Sequence, residues 1–280
     1  MIIDFHTHVF SPHIVSNREK FVSLDALFRT LYSENKAQLA TTENLISNMD
    51  IQEIQKSVLL NIAWNSQELC CQTNDYIIES IVRYPNRLIG FCMVDFESPD
   101  TAILEIERCH KFGIKGVGEI RLSKGLLKQH SLLQPIIDSI INHNLVLLIH
   151  TSEPVGHYYP GKGEITPELL YPFITHNPDL KLVCAHWGGG LPFYSLMPKV
   201  KPHFRNLFFD SAASPLLYSS QVYSQVAQLV GLDKILFGSD YPLLSPRRLI
   251  NEIDTLEISS EAKKAILSVN ANKLLEISSE

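Results

Sequence analysis

Six side chains able to bind a divalent metal ion lie at or just after the ends of short apolar segments. The segments are IIDFHTH, IKGVGEI, LVLLIHT, KLVCAHWG and ILFGSDY, and the six residues are His6, His8, Glu119, His150, His186 and Asp240. Imidazole nitrogens and carboxylate oxygens are ligands for zinc and similar ions. A bound ion of this kind lowers the pKa of a water ligand and polarises a carbonyl or phosphoryl oxygen. The pattern indicates a metal-dependent site, provided that the segments converge.

Each residue taken alone has an ordinary explanation. A His-x-His pair is often a surface or hydrogen-bonded core feature, and an Asp after Phe-Gly-Ser can belong to a turn or a helix cap. The combination is harder to explain in this way, because nearly all of these groups follow apolar segments at the same end. We therefore predict that the six residues form one site for zinc or a similar divalent ion.

Apolar segments of this length predict buried strands. Side chains alternate between the two faces of a strand, so His6 and His8 are expected to point the same way. Eight strands are predicted, over Ile2–His8, Ser57–Ala63, Leu88–Asp95, Ile114–Ile120, Leu145–Thr151, Lys181–Trp187, Leu207–Ser211 and Ile235–Asp240.

Stretches with helical periodicity separate these strands. Helices are predicted over Glu43–Gln55, Ser66–Tyr84, Pro99–Phe112, Ser131–His143, Thr166–His176, Leu216–Val230, Pro246–Leu256 and Ser260–Ile277. The alternation predicts an α/β fold, a (β/α)8 TIM barrel forming a single domain over residues 1–280. An open doubly wound sheet is the alternative. The metal pattern favours the barrel, because a closed sheet brings the last strand beside the first.

The segment after the first strand is unusually long for a strand-helix connection. More than thirty residues precede the first regular helix, with an extra helix expected near Leu24–Leu39. Such a loop could cover the site or could be a surface decoration. Gly188-Gly189-Gly190 is expected to give a tight turn after the sixth strand.

Composition limits the classes of partner. The chain has 280 residues, 45% of them hydrophobic, and a formal net charge of −6 without a basic stripe. Neither nucleic acid nor a membrane surface is expected as a partner; a small-molecule substrate is expected, and a homo-oligomer is possible. Five scattered cysteines indicate reduced thiols. No signal peptide or membrane-spanning segment is apparent, so a cytoplasmic location is expected.

Several motifs resemble the amidohydrolase superfamily of metal-dependent TIM-barrel enzymes. His6-Thr7-His8 resembles its first-strand pair, and His150 and His186 resemble its fifth- and sixth-strand histidines. The amidohydrolase 2 branch is indicated by three further stretches, which are Ala185-His186-Trp187-Gly188-Gly189, Phe237-Gly238-Ser239-Asp240-Tyr241-Pro242 and Asn270-Ala271-Asn272-Lys273-Leu274-Leu275. That branch includes aminocarboxymuconate-semialdehyde decarboxylase-like enzymes and small lactonases.

Glu119 departs from the decarboxylase pattern. It is more similar to the fourth-strand Glu of TatD-type deoxyribonucleases, which bridges two metals. The resemblance implies one or two ions per chain, with His150 and His186 on the second ion. Zn²⁺ is the first candidate, because imidazole and carboxylate ligands suit it. A buried salt bridge from Glu119 to Arg121 or Lys115 is the alternative.

The remaining site residues are assigned from chemistry and position. Asp240 is placed to accept a proton from a metal-activated water, and His186 could act as acid, base or oxyanion stabiliser. Arg121 could hold a substrate carboxylate or phosphate. Trp64, His157 and Trp187 follow strands at the same end and could line the pocket, although each could equally be a packing residue.

These residues lead us to expect a metal-dependent hydrolase of a small amide, lactone or ester. The alternatives are a non-oxidative decarboxylase of an unsaturated carboxylic acid, a TatD-type phosphodiesterase, and a barrel whose metal is purely structural. The motifs point to the superfamily and leave the reaction open.

Overall fold

Eight parallel strands form one sheet whose spatial order is the order of the chain. The computed structural model describes residues 1–277. The strands are β1 Ile3–His8, β2 Lys56–Leu60, β3 Leu88–Cys92, β4 Gly116–Ile120, β5 Val146–Ile149, β6 Leu182–Cys184, β7 Leu207–Asp210 and β8 Ile235–Leu236.

The chain just after β8 pairs with β1 and closes the sheet. The Phe5 N–H donates to the Phe237 carbonyl oxygen at 2.8 Å, and the Asp240 N–H donates to that of His6 at 2.9 Å. Thr7 and Tyr241 form a parallel bridge. The last strand therefore lies beside the first, and the predicted (β/α)8 barrel is confirmed.

Helices connect successive strands around the outside of the barrel. Those between β2 and β6 are Gln67–Arg83, Pro99–Lys111, Lys124–Leu127, His130–Asn142 and Pro167–His176. After β7 come Ser214–Leu217 and Gln221–Val230, and after β8 come Pro246–Thr255, Ser260–Lys264 and Asn270–Leu275. None of the helices within residues 1–277 combines the length and the apolar character needed to cross a membrane.

Three helix predictions differ from the structure at their caps or interiors. Gln129, not Ser131, is the N-cap of the helix after β4. The predicted helix Leu216–Val230 is interrupted at Tyr218, where the backbone is extended. The predicted helix Ser260–Ile277 contains a wider turn over Ala265–Val269.

The barrel interior is apolar at its amino-terminal end. A buried cluster built from strand residues includes Ile3, Phe5, Phe91 and Leu148, and Phe5 and Phe91 pack edge to face with ring centroids 5.7 Å apart. Leu274 belongs to the same cluster. The last helix therefore closes the end of the barrel opposite the predicted site.

The long first loop folds into three short helices, Pro12–Ser16, Arg18–Leu24 and Ala26–Tyr32, followed by Thr42–Gln52. The extra helix expected near Leu24–Leu39 is present with shorter bounds, Ala26–Tyr32. It begins after Asp25, whose side chain caps it by accepting from the Phe28 N–H at 2.8 Å. Phe28 stacks on Trp64 with ring centroids 5.4 Å apart. This aromatic packing fixes the loop to the carboxyl-terminal end of the barrel.

Candidate metal centre

The structure brings the six predicted metal-binding residues together at the carboxyl-terminal end of the barrel. Five of them are buried and Asp240 is nearly so. Two groups of donor atoms, each within 4.8 Å of one another, could hold an ion: His6, His8 and Glu119, and Glu119, His150 and His186. Glu119 is common to both groups.

Irregular pairing in β1 and β4 aims the site residues inward. The register of β1 on β2 shifts between Asp4 and Thr7, so Phe5 can fill the apolar interior while the next residue, His6, also faces inward. The register of β4 on β5 shifts between Val117 and Ile120. An added residue of this kind re-aims the side chains that follow, and Glu119 lies within the second shift.

The first donor group is centred on two facing imidazoles. His6 Nε2 and His8 Nε2 are 3.1 Å apart. Asp240 Oδ1 lies 3.4 Å from His8 Nε2 and 3.8 Å from His6 Nε2. Three ligand atoms thus converge from two neighbouring strand ends.

The second donor group is centred on Glu119 Oε1. This oxygen lies 2.7 Å from His150 Nδ1 and 3.2 Å from His186 Nε2. It is also 3.9 Å from His6 Nε2. Glu119 therefore occupies the space between the two groups, and its partners are imidazoles. The alternative of a salt bridge to Lys115 or Arg121 is wrong: no such pair within 4.0 Å occurs in residues 1–277, and Lys115 is exposed at the opposite end of β4.

Asp210, which sequence reasoning missed, orients two of the histidines. Its Oδ2 accepts from His6 Nδ1 at 2.8 Å, and its Oδ1 accepts from the His186 N–H at 2.9 Å. His186 Nδ1 in turn donates to the Ala212 carbonyl at 3.0 Å. Hydrogen bonds at Nδ1 leave the Nε2 lone pairs of both rings directed at the centre. The only clue in the sequence was a carboxylate at the end of LFFD.

A left-handed turn after β6 positions His186. His186 and Trp187 have φ values of 55° and 59°, and three glycines follow with positive φ. Left-handed conformations of non-glycine residues cost of order 1–3 kcal/mol each. A Cβ at Gly189 would collide with the Ser152 carbonyl oxygen. The tight turn expected at the glycines is confirmed, and it packs directly on the chain that follows His150.

Opposite charges govern the protonation of the cluster. Burial alone would lower the pKa of His6, but Asp210, Glu119 and Asp240 raise it to about 10. Burial would also lower the pKa of His186, yet Glu119 and Asp240 raise it. The pKa of Asp240 is held well below its usual range by His8, His6 and His186, despite burial. Both carboxylates of the centre are therefore ionised.

Burial and nearby charges also act in opposite directions on the pKa values of His150 and Glu119. Burial and the nearby Arg121 lower the pKa of His150 to about 3, even with Glu119 adjacent. Burial would raise the pKa of Glu119, but His150, His186 and His6 hold it well below its usual range. A neutral imidazole next to an ionised carboxylate is the protonation state that binds a metal ion.

The donor set fits a divalent cation. The Nε2 lone pair of His186 faces the Glu119 carboxylate, and that of His6 faces His8 Nε2, so a proton or a cation must lie in each gap. His8 Nδ1 is buried with no hydrogen-bond partner in residues 1–277. Buried carboxylates are expensive to hold without a compensating charge. His6, His8 and Asp240 could hold one ion together. Glu119, His150 and His186 could hold a second.

The four predicted pocket residues have different surroundings. Arg121 follows β4 and is half-buried near His150. Trp64 is buried in the aromatic packing beneath the first loop. Trp187 has no exposed surface and donates from Nε1 to Ser214 Oγ at 2.9 Å. His157 is exposed on the loop after β5. The structure thus gives packing roles to the two tryptophans.

Tyr32, in the first loop, lies close enough to the site for the charges of its carboxylates to act on its phenol. Burial raises the pKa of its phenol, and the charges of Asp240 and Glu119 raise it further. A Cβ at Gly161, in the loop after β5, would lie 2.6 Å from Leu31 Cδ2. The first loop therefore extends toward the centre and touches the loop after β5.

A closed barrel with imidazoles and carboxylates gathered at its carboxyl-terminal end defines a metal-dependent barrel enzyme. The family model described as Amidohydrolase matches residues 3–277. The chain belongs to the amidohydrolase family, in the branch that its motifs resembled.

Similar proteins carry the names of decarboxylases. The 2-amino-3-carboxymuconate-6-semialdehyde decarboxylase of Dictyostelium discoideum is 23% identical over 98% of this chain and 91% of its own length. A structure of 5-carboxyvanillate decarboxylase from Novosphingobium aromaticivorans, complexed with manganese, has a TM-score of 0.80 at 17% identity, covering 99% of this chain and 96% of that one. Dihydroxybenzoic acid decarboxylase from Polaromonas sp. JS666, with bound manganese, has a TM-score of 0.77 at 19% identity, covering 100% and 98%.

These similarities correct the expected function. The expectation of a hydrolase is wrong, because the similar proteins are named as decarboxylases, which was the stated alternative. A divalent metal is supported, whereas zinc in particular is not, since the similar structures contain manganese. The likeness of Glu119 to the TatD-type bridging residue stays a prediction.

Proposed function

We propose that this protein is a metal-dependent, non-oxidative decarboxylase of a small aromatic or unsaturated carboxylic acid. The observation that carries the proposal is the buried cluster of four imidazoles and two carboxylates at the mouth of an amidohydrolase barrel. The names of the similar proteins support the reaction class. The reaction breaks the bond to the carboxylate carbon, releases CO₂ and leaves an electron pair on carbon, which a proton then occupies.

His6, His8 and Asp240 would hold the ion, with His150 or Glu119 completing the shell. Manganese is the first candidate and zinc the second, because oxygen and imidazole donors accept both. When bound, the ion supplies positive charge that orients the substrate oxygens and offsets the negative charge developing during CO₂ loss. The depressed pKa of Asp240 suits a ligand better than a proton donor.

His186 is the proposed proton donor. With one ion bound at the first donor group, His186 Nε2 keeps the proton that it shares with Glu119 Oε1. Glu119 and the Ala212 carbonyl hold the ring by its two nitrogens. Glu119 and Asp240 raise the pKa of this imidazole and so favour its charged form, and the proton at Nε2 faces the centre. A second ion would displace this proton, so the proposal favours one ion per working site.

The test is release of CO₂ from hydroxybenzoic, carboxymuconic and related acids by protein loaded with Mn²⁺ or Zn²⁺. We expect one equivalent of CO₂ for each product molecule, and in D₂O one deuterium at the vacated carbon. His186→Gln should keep one bound ion while losing turnover by about 10²–10⁴-fold. Consumption of lactones or amides without release of CO₂ from any acid would overturn the proposal.

A further inference from the structure

Arg121 carries a positive charge that the protein does not neutralise. It follows β4 directly, two residues after Glu119, and is half-buried. One N–H of its Nη1 donates to the Gly161 carbonyl oxygen. Within residues 1–277 it makes no other hydrogen bond and has no carboxylate within 4.0 Å. A guanidinium carries several donors in a planar fork, so most of them remain available.

The Arg121 side chain lies near the metal centre. Its charge lowers the pKa of His150 and opposes the rise in the pKa of Tyr32 and Tyr159. The loop that holds it folds over His150, because a Cβ at Gly163 would lie 2.7 Å from His150 Cδ2. Arg121 is thus placed between the first loop, the loop after β5 and the ligands.

A cation in this position has different effects on the two kinds of anionic group in a substrate. The carboxylate that leaves as CO₂ loses its negative charge as the bond breaks. An arginine paired with it would stabilise the bound substrate more than the transition state and would slow the reaction. An arginine paired with a group that stays ionised throughout binds both states equally and fixes orientation.

We propose that Arg121 binds a second anionic oxygen group of the substrate, one that remains on the product. The substrate class is then an acid with a further carboxylate or an ionised hydroxyl on the same small framework. The assignment of one carboxylate as the leaving group rests on the proposed decarboxylase function. The binding of a second anion by Arg121 rests on its unpaired charge alone.

The experiment compares two probes on the metal-loaded protein, benzoate and isophthalate, by isothermal titration calorimetry. Isophthalate adds one carboxylate to the same ring. We expect isophthalate to bind the wild-type protein about tenfold more tightly or better, since hydrogen bonds to charged groups are worth that much. Arg121→Gln should remove this preference and leave benzoate binding within about twofold. Arg121→Lys should keep part of the preference, because the charge remains.

Lys124→Gln is the matched control, because it removes one positive charge from an exposed position of the same connection. It should keep the full preference for isophthalate. Equal binding of the two probes to the wild type, or an undiminished preference in Arg121→Gln, would overturn the proposal. Equal weakening of both probes, with loss of metal or of thermal stability, would assign Arg121 to holding the Gly161 loop.

The binding comparison requires no turnover, so it stands apart from the CO₂ test. If the protein prefers isophthalate through Arg121 but releases no CO₂ from any acid, the anion site is supported and the decarboxylase function is excluded. If the protein releases CO₂ but binds both probes equally, the decarboxylase function is supported and the anion site is excluded.

Discussion

The two ends of the barrel interior are filled by opposite kinds of side chain. The amino-terminal end is filled by fully buried side chains that pack with the last helix, among them Phe5, Phe91 and Leu148. At the carboxyl-terminal end, His6 and Glu119 belong to a cluster of ionisable groups that is equally buried. The apolar end is stable through its own contacts, whereas the polar end needs a proton or a cation between its lone pairs. Only one end of the core is therefore complete without a ligand.

The largest expected effect comes from removing packing at the apolar end. Phe5→Ala should lower the free energy of unfolding by about 3–5 kcal/mol, because the interior cannot close around the cavity. Metal content should not change, since Phe5 offers no ligand atom. Denaturant unfolding and elemental analysis measure the two quantities.

His8→Ala provides the counterpart at the polar end. In metal-free protein it should be less destabilising than Phe5→Ala, because it also removes a buried ring nitrogen that has no partner in residues 1–277. An equal loss in the two metal-free variants would show that the two ends of the core do not differ in this way.

The next effect is the stabilisation gained from the ion itself. At a free metal concentration of a hundred times Kd, the free energy of unfolding should rise by about 2.7 kcal/mol over that of chelator-treated protein. Asp240→Asn should abolish both this gain and turnover, and its metal-free form should unfold like the metal-free wild type. A melting temperature independent of metal would contradict the idea that the polar end is completed by a cation.

A smaller effect is expected from the residue that orients the ligands. Asp210→Asn keeps the shape of the side chain but removes the charge that faces His6 Nδ1, so metal affinity should fall by about 10–100-fold. Competition with a chelator measures the change. Asp138→Asn, on the exposed face of the helix His130–Asn142, is the matched control and should leave affinity unaltered. A similar loss of metal affinity in both variants would show that Asp210 does not orient the metal-binding residues.

Metal binding is also expected to depend on pH. His6, with a pKa of about 10, holds a proton at neutral pH that an ion at the first donor group must displace. Affinity should therefore rise with pH between 7 and 9, by about tenfold per pH unit for each proton released. Calorimetry in buffers of different ionisation enthalpy counts the protons. Metal uptake without proton release would place the ion away from the His6 ring.

The sequence was enough to predict the barrel because parallel strands are apolar on both faces and their ends are marked by polar residues. It also predicted that the six candidate metal-binding residues lie together, since barrel sites lie at the carboxyl ends of strands. It did not predict how β1 and β4 aim His6 and Glu119. Regular alternation would put Phe5 and His6 on opposite faces, and the register shift that reconciles them depends on pairing with a neighbouring strand.

Other misses have the same origin in tertiary contacts. Asp210 was overlooked because a carboxylate after a strand does not reveal which side chains it will meet. Trp64 and Trp187 follow strands as a pocket residue would, but aromatic and hydrogen-bonded neighbours bury both. The expectation of one domain over residues 1–280 stays a prediction.

The two oxygens of Asp210 tie distant parts of the chain to one another. One oxygen holds the His6 ring on β1, and the other accepts from the amides of His186 and Ala212 in the turns after β6 and β7. A substitution that shifts either turn would also rotate a ligand at the start of the sequence. During evolution the backbone of these two turns cannot change without also moving His6 on β1. We expect relatives with new substrates to differ mainly in the first loop and the loop after β5, where the backbone can change without moving His6.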